Sequence, residues 1–475
     1  MLSAMTKKIL TLLLLALPVL YTTAQTTGSS AIPPRGNWTG AIQLNASRSL
    51  RIGIEFPSKP NQRPWFHSMD QQMYNIPIRL VEQKRDSVQL TISHPNAVVT
   101  IAFNGKEGKG NFRQGNFVAP VALQYTDSPF SKPLRPQEPV YPLPYKEEDI
   151  TYRNSADSVT LAATLTLPRS GKPSPAILLI PGSGPNDRDA YIFGHKVFLV
   201  LADYFTRKGF VVLRADDRGT GASTGKYSTA SIKDLANDAK AGVEYLRSRK
   251  EVNPERVFIM GHSLGAEIAS LTALNNRNVN GVVLLAGAGE SLRETILRQT
   301  ADIYAQQGVS REGIDLNTKV LLAVFDAVQK YPTNDSTLAA IERSFASLNP
   351  LVEQVPAKER DILELSYPLN PKAFGHFWGK AMRFDLFYQP LDSYRQLQQP
   401  VLVTQGTSDV QVKADNAERI GAVLNNKASV VKLFDSKNHL FQTCKSCTVE
   451  EYGSLTETFS PEVLDFIYQW LRKNL

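Results

Sequence analysis

The feature that most limits what this chain can fold into is a change of pattern near residue 146. Beyond it, short continuous apolar runs alternate with segments of helical spacing. The runs are Val159 to Leu167, Ala176 to Ile180, Phe210 to Ala215, Val257 to Met260 and Val282 to Ala286. Between Ser231 and Arg249, the residues Ile232, Leu235, Ala236, Ala239, Val243 and Leu246 recur at the spacing of one helix face. Strands apolar on both sides must be covered on both faces. The alternation therefore predicts right-handed βαβ units and a parallel sheet between two helical layers. Ligands of such sheets sit at the carboxyl ends of the strands, and every chemistry-bearing motif falls there.

The central motif is Gly261-His262-Ser263-Leu264-Gly265, between the run ending at Met260 and an Ala- and Leu-rich segment from Ala266. A serine between two glycines, entered from a strand and left through a helix, has the pattern of a nucleophile elbow. The sharp turn lifts the hydroxyl clear of the sheet, and small neighbours let strand and helix approach. An ordinary tight βα turn can carry the same five residues, so the surrounding chain decides.

Directly after the strand ending at Ile180 comes Pro181-Gly182-Ser183-Gly184-Pro185. Glycines there free backbone amides to point into the site, and acyl transfer needs two such donors for its oxyanion. Ser183 or Gly184 is predicted to supply one, and Leu264, next to the nucleophile, the other. The Lys-Ser/Thr that a phosphate loop requires is absent. Asp216 to Ser223, a Gly-rich turn after the next strand, is expected to shape the pocket floor.

The acid and base lie further on. The strand-like Val401 to Gln405 leads into Gly406-Thr407-Ser408-Asp409, and Val430 to Phe434 leads into Asp435-Ser436-Lys437-Asn438-His439. Asp409 could hold His439 in the tautomer that lets it accept the Ser263 proton. Asp385, Asp392 and Asp435 compete for the acid's role, but none follows a strand and a Gly-turn. His376 falls in a helical insertion, His262 is expected to point away from the base's position, and His195 is read as structural or as a substrate contact.

Residues 1–24 have a positive start at Lys7 and Lys8, an apolar stretch from Ile9 to Leu20 and a small-residue cut site, Thr22-Thr23-Ala24. This predicts a cleaved signal peptide and a secreted or periplasmic protein, since about 12 apolar residues are too few for a membrane anchor. No later stretch predicts a membrane span. From 25 to 126, alternating runs such as Leu50 to Phe56, Val88 to Ile92 and Val98 to Phe103 predict a small all-β domain, with hairpin turns at Asn104-Gly105 and Asn111 to Gly115. His67 and His94 read as structural or merely exposed there, and Trp38, Trp65 and Phe66 as core rather than a sugar-stacking face. Residues 127–146, with Pro133, Pro136, Pro139, Pro142 and Pro144, predict a semi-rigid linker to a domain spanning 147–475. The formal charge of +8 is spread without dense runs, which speaks against a nucleic-acid partner. Cys444 and Cys447 have no second pair for zinc and no βαβ redox context, so a local disulfide is expected.

With these residues in view, the chain resembles the α/β-hydrolase superfamily, and within it secreted bacterial acyl-esterases that carry an N-terminal β domain. The resemblance rests on Pro181 to Asp189, Asp217 to Ser223, Gly261 to Gly265, Gly406 to Asp409 and Asn438 to Phe441. It implies an α/β-hydrolase fold with a mostly parallel sheet, a helical cap at about 288–396 and the small β domain in front. It also implies hydrolysis of a small-molecule carboxylic ester by Ser263, Asp409 and His439, with no metal or organic cofactor. Relatives include thioesterase-like proteins and serine aminopeptidases, so a peptidase is the alternative, favoured if acidic cap residues bind a substrate amino terminus. An inert surface-binding protein is the reading from outside enzymes. Leu264-Gly265-Ala266 departs from many relatives, where an acidic residue or a second glycine follows the serine.

Overall fold

The computed structural model describes residues 35–44, 49–57, 64–70, 73–84, 86–92, 97–115, 117–130 and 133–475. The leader and His94 lie outside them. The chain divides into two compact units, Met1–Pro133 with Ala357–Glu364, and Leu134–Pro356 with Leu365–Leu475.

In the first unit, eight strands between Gly36 and Thr126 each pair antiparallel with the next, and the first pairs with the last to close a barrel. Burial alternates along them, as in Ser87–Ile92, where Val88, Leu90 and Ile92 face inward. Trp38 is buried edge-on against Phe103 and Tyr125, which makes it core. The polar strand Glu107–Gln114 differs from the expected turn at 111–115: only Gly115, at φ +57°, turns. Its Gly110 has to be glycine, because a Cβ there would lie 1.8 Å from the Thr100 carbonyl oxygen.

The second unit is built on one eight-stranded sheet. Its strands are β1 (Lys146–Asn154), β2 (Val159–Leu167), β3 (Ser174–Ile180), β4 (Val211–Ala215), β5 (Val252–His262), β6 (Gly281–Leu285), β7 (Val401–Gly406) and β8 (Val430–Phe434). Their spatial order is β8-β7-β6-β5-β3-β4-β2-β1. The β1–β2 and β2–β4 pairings are antiparallel and the other five parallel. β6 is buried at all five positions, as a strand covered on both faces must be.

Helices α1 (Val197–Arg207), α2 (Ile232–Ser248) and α3 (Leu264–Ala273) follow β3, β4 and β5. The amphipathic face read between 231 and 249 is α2, begun by a capping box of Ser231 and Asp234. Its buried residues join one core cluster with α3, while α1 and the C-terminal helix Pro461–Lys473 complete a second. After β6 come α4 (Leu292–Gln306), α5 (Arg311–Lys330) and α6 (Asn334–Gln354). Then come α7 (Ala357–Ile362), within the segment that clusters with the first unit, α8 (Lys380–Phe387) and α9 (Pro390–Gln396).

The proline-rich stretch is anchored over its second half. Arg135 donates to the carbonyls of Gly194, Gly453 and Leu455, and Gln137 to that of Phe459. Cys444 and Cys447 form a disulfide with their Cα atoms 5.0 Å apart. No helix among the described residues is long and apolar enough to cross a membrane.

Candidate active site

β5 ends at His262, α3 begins at Leu264, and Ser263 makes the turn between them at φ +55°, ψ −124°. A side chain in that region of backbone space costs roughly 1–3 kcal/mol. The surrounding contacts enforce it. The Ser263 amide donates to the Leu285 carbonyl at 2.8 Å, and the Ala266 amide donates to the Ser263 carbonyl at 2.8 Å. A Cβ on Gly261 would lie 2.0 Å from the Gly265 carbonyl oxygen, and one on Gly265 would lie 2.3 Å from that of Ile180. Both glycines are therefore required by the packing of β3, β5 and α3.

Asp409 lies just beyond β7 and His439 beyond β8, both buried. Asp409 Oδ2 accepts from His439 Nδ1 at 2.6 Å and from Gln405 Nε2 at 2.7 Å; its Oδ1 accepts from the amides of Gln411 at 2.7 Å and Val412 at 2.9 Å. With a carboxylate on Nδ1, that nitrogen carries the proton and Nε2 is free to act as a base. The Asn438 side chain fixes the turn around His439 by accepting from the amides of Leu440 and Gln442.

The expectation that His262 points away from the base is corrected. His262 Nε2 donates to the His439 carbonyl at 2.9 Å, and the two rings are 4.9 Å apart. Loss of water around the ring, and then the nearby His439, pull the His262 pKa down to about 4, so it stays neutral. The residue before Ser263 thus ties the elbow to the His439 loop. The Ser263 hydroxyl itself makes no hydrogen bond among the described residues.

Of the predicted oxyanion donors, Leu264 opens α3, where an amide has no partner within the helix. The loop after β3 approaches closely: a Cβ on Gly182 would lie 3.1 Å from Ser263 Cβ. Gly184 is corrected as a donor, because its amide already donates to the Tyr227 hydroxyl at 3.0 Å. Ser183 remains.

Asp216 and Asp217 brace that loop. Arg188 donates its amide and Nε to Asp216 Oδ1 at 2.8 and 3.1 Å, and the Asn186 amide donates to Asp217 Oδ2 at 2.8 Å. Sequence reasoning placed these aspartates in the pocket floor but missed their partners, whose pairing no spacing announces.

The competing residues have other duties. His195 is wholly buried between Thr458 and the Tyr452 carbonyl, at 2.9 Å from each. Asp385 accepts from the Ile232 amide, Asp392 from Arg395, and Asp435 is exposed. Sequence reasoning also missed Glu267, four residues after Ser263 and only 4% exposed. Burial and then the Asp385 carboxyl push its pKa up to about 8, and burial pushes Asp385 up to about 7. A cavity beneath the loop is lined by Gly182, Asp217, Asp238 and Tyr152 but not by Ser263, so it is not where acyl transfer at this serine would occur. Among the described residues no cluster of three or more His, Cys, Asp or Glu is arranged to hold a metal.

The family described as serine aminopeptidase, S33, matches residues 195–311, a stretch that holds the elbow and ends before Asp409 and His439. Esterase EstD of Thermotoga maritima is 26% identical over 365 residues, covering 76% of this chain and 75% of that one. The 2-hydroxy-6-oxononadienedioate/2-hydroxy-6-oxononatrienedioate hydrolase 2 of Pseudomonas putida is 25% identical over 298 residues, covering 62% of this chain and 89% of its own. Among solved structures, the hypothetical protein PA2218 of Pseudomonas aeruginosa aligns at 17% identity and a TM-score of 0.45, over 71% of this chain and 96% of its own.

Proposed function

We propose that this esterase-like α/β-hydrolase cleaves short-chain acyl esters through an acyl-enzyme on Ser263. His439, held by Asp409, takes the Ser263 proton as the hydroxyl oxygen attacks the ester carbonyl. The amides of Leu264 and Ser183 hold the oxyanion, and the alcohol leaves with a proton from His439. Water activated by the same imidazole then releases the acid. The observation that carries this reading is the 2.6 Å Asp409–His439 hydrogen bond, on a loop tied by His262 to a serine in an elbow conformation. A cleaved leader would place the activity outside the cytoplasm.

A second reading, an aminopeptidase, draws on the name of the matched family. The test is turnover of p-nitrophenyl esters from acetate to octanoate beside aminoacyl p-nitroanilides. The ester reading expects turnover of the short esters and a loss on the order of 10⁴-fold or more in Ser263→Ala. Faster turnover of the anilides would favour the peptidase.

A further inference from the structure

The two peptide planes on either side of Ser183 are each pinned by a side chain from outside the loop's turn. Asn186 Nδ2 donates to the Gly182 carbonyl at 3.0 Å and to the Gly184 carbonyl at 2.6 Å. The Tyr227 hydroxyl accepts from the Gly184 amide at 3.0 Å. The Gly182–Ser183 peptide is trans, so its carbonyl and the Ser183 N–H point in opposite directions. Whatever fixes the Gly182 oxygen therefore fixes where the Ser183 amide points.

We propose that Asn186 is a positioning residue that aims the Ser183 amide into the oxyanion site, an inference that rests on the Ser263 acyl-transfer reading. Ser183 is flanked by Gly182 and Gly184, residues with access to both signs of φ; Gly184 already sits at +92°. A peptide plane between such neighbours turns over easily, and turned over it would present a carbonyl oxygen where the oxyanion needs a donor. The Asn186 amide group is the clamp against that rotation. Asn186 is in turn held from both sides of its own backbone: its N–H donates to Asp217 Oδ2 at 2.8 Å, and its carbonyl accepts from the Asp217 amide at 3.0 Å. The Asn186 side chain also lies 3.5 Å from Asp217 Oδ2. This gives Asp217 a role that the pocket-floor reading lacked.

The test is Asn186→Asp, which keeps the shape and replaces the donating nitrogen with oxygen facing two carbonyls. With p-nitrophenyl acetate, kcat is expected to fall about 10²–10³-fold, the loss typical of one oxyanion donor, with KM within threefold. Inhibition by an arylboronic acid, whose tetrahedral adduct places an oxygen in the oxyanion position, should weaken by a similar factor. Rates are taken per site titrated by a fluorophosphonate, so misfolded protein does not count. The double variant Asn186→Asp with Asp217→Asn removes any repulsion between the two carboxylates but does not restore the bond to Gly182. It should stay as slow as the single variant. Recovery in the double variant, a kcat within threefold of wild type in the single one, or a fall in site titre alone would each overturn the role of Asn186. Absence of fluorophosphonate labelling in the wild type would instead overturn the acyl-transfer reading beneath it.

Discussion

At the scale of single residues, the site is assembled under strain. Ser263 occupies a backbone region natural to glycine, and its neighbours at 261 and 265 cannot carry even a methyl group. Ser263→Ala removes the hydroxyl and keeps the strain, whereas Ser263→Gly removes both. In urea titrations Ser263→Gly is expected to be more stable than Ser263→Ala by about 1–2 kcal/mol, while both lack activity. Equal stabilities would mean that the turn stores no strain. His262 adds a residue-scale coupling, since it is covalently joined to the elbow and hydrogen-bonded to the backbone of His439.

At the scale of elements, α3 and α8 each carry a buried carboxyl, Glu267 and Asp385. Glu267 holds its proton up to about pH 8 when folded, against 4.5 for an ordinary glutamate, and Asp385 up to about 7 against 3.8. Between those limits the folded state binds more protons at these two carboxyls than the unfolded one, so their contribution is fully present in acid and is lost as pH rises. The buried histidines His67, His195 and His262, held near 4, act in the opposite sense only up to about pH 6.5, so thermal midpoints should drop by a few degrees between pH 6.5 and 8.5. Glu267→Gln, which cannot ionise, should flatten much of that drop. An unchanged slope in the variant would show that Glu267 does not ionise at the cost of folding. The bracing of the loop after β3 belongs to this scale too: Arg188 and Asn186 lock it to the aspartates that follow β4.

At the scale of the whole molecule, the sequence carried placement better than contact. Ser263, Asp409 and His439 stood out because each follows a run of strand-like apolar residues, a pattern that places a residue at the sheet's carboxyl edge. β1 went unread because Lys146-Glu147-Glu148-Asp149 offers no apolar run, although charge is what an edge strand carries. Alternation predicted inward and outward faces for the first unit, but not that eight strands would close into a barrel. Hydrogen-bond partners were hidden for a different reason: Gln405, Asn186 and Tyr227 are ordinary polar residues until the fold brings an acceptor or donor within 3 Å. Peptide mass mapping after reaction with a fluorophosphonate tests Ser263 as the one nucleophile. A single adduct on Ser263, slowed by a competing short-chain ester and absent in Ser263→Ala, is the predicted result; an adduct on another residue, or labelling unchanged in Ser263→Ala, would contradict it.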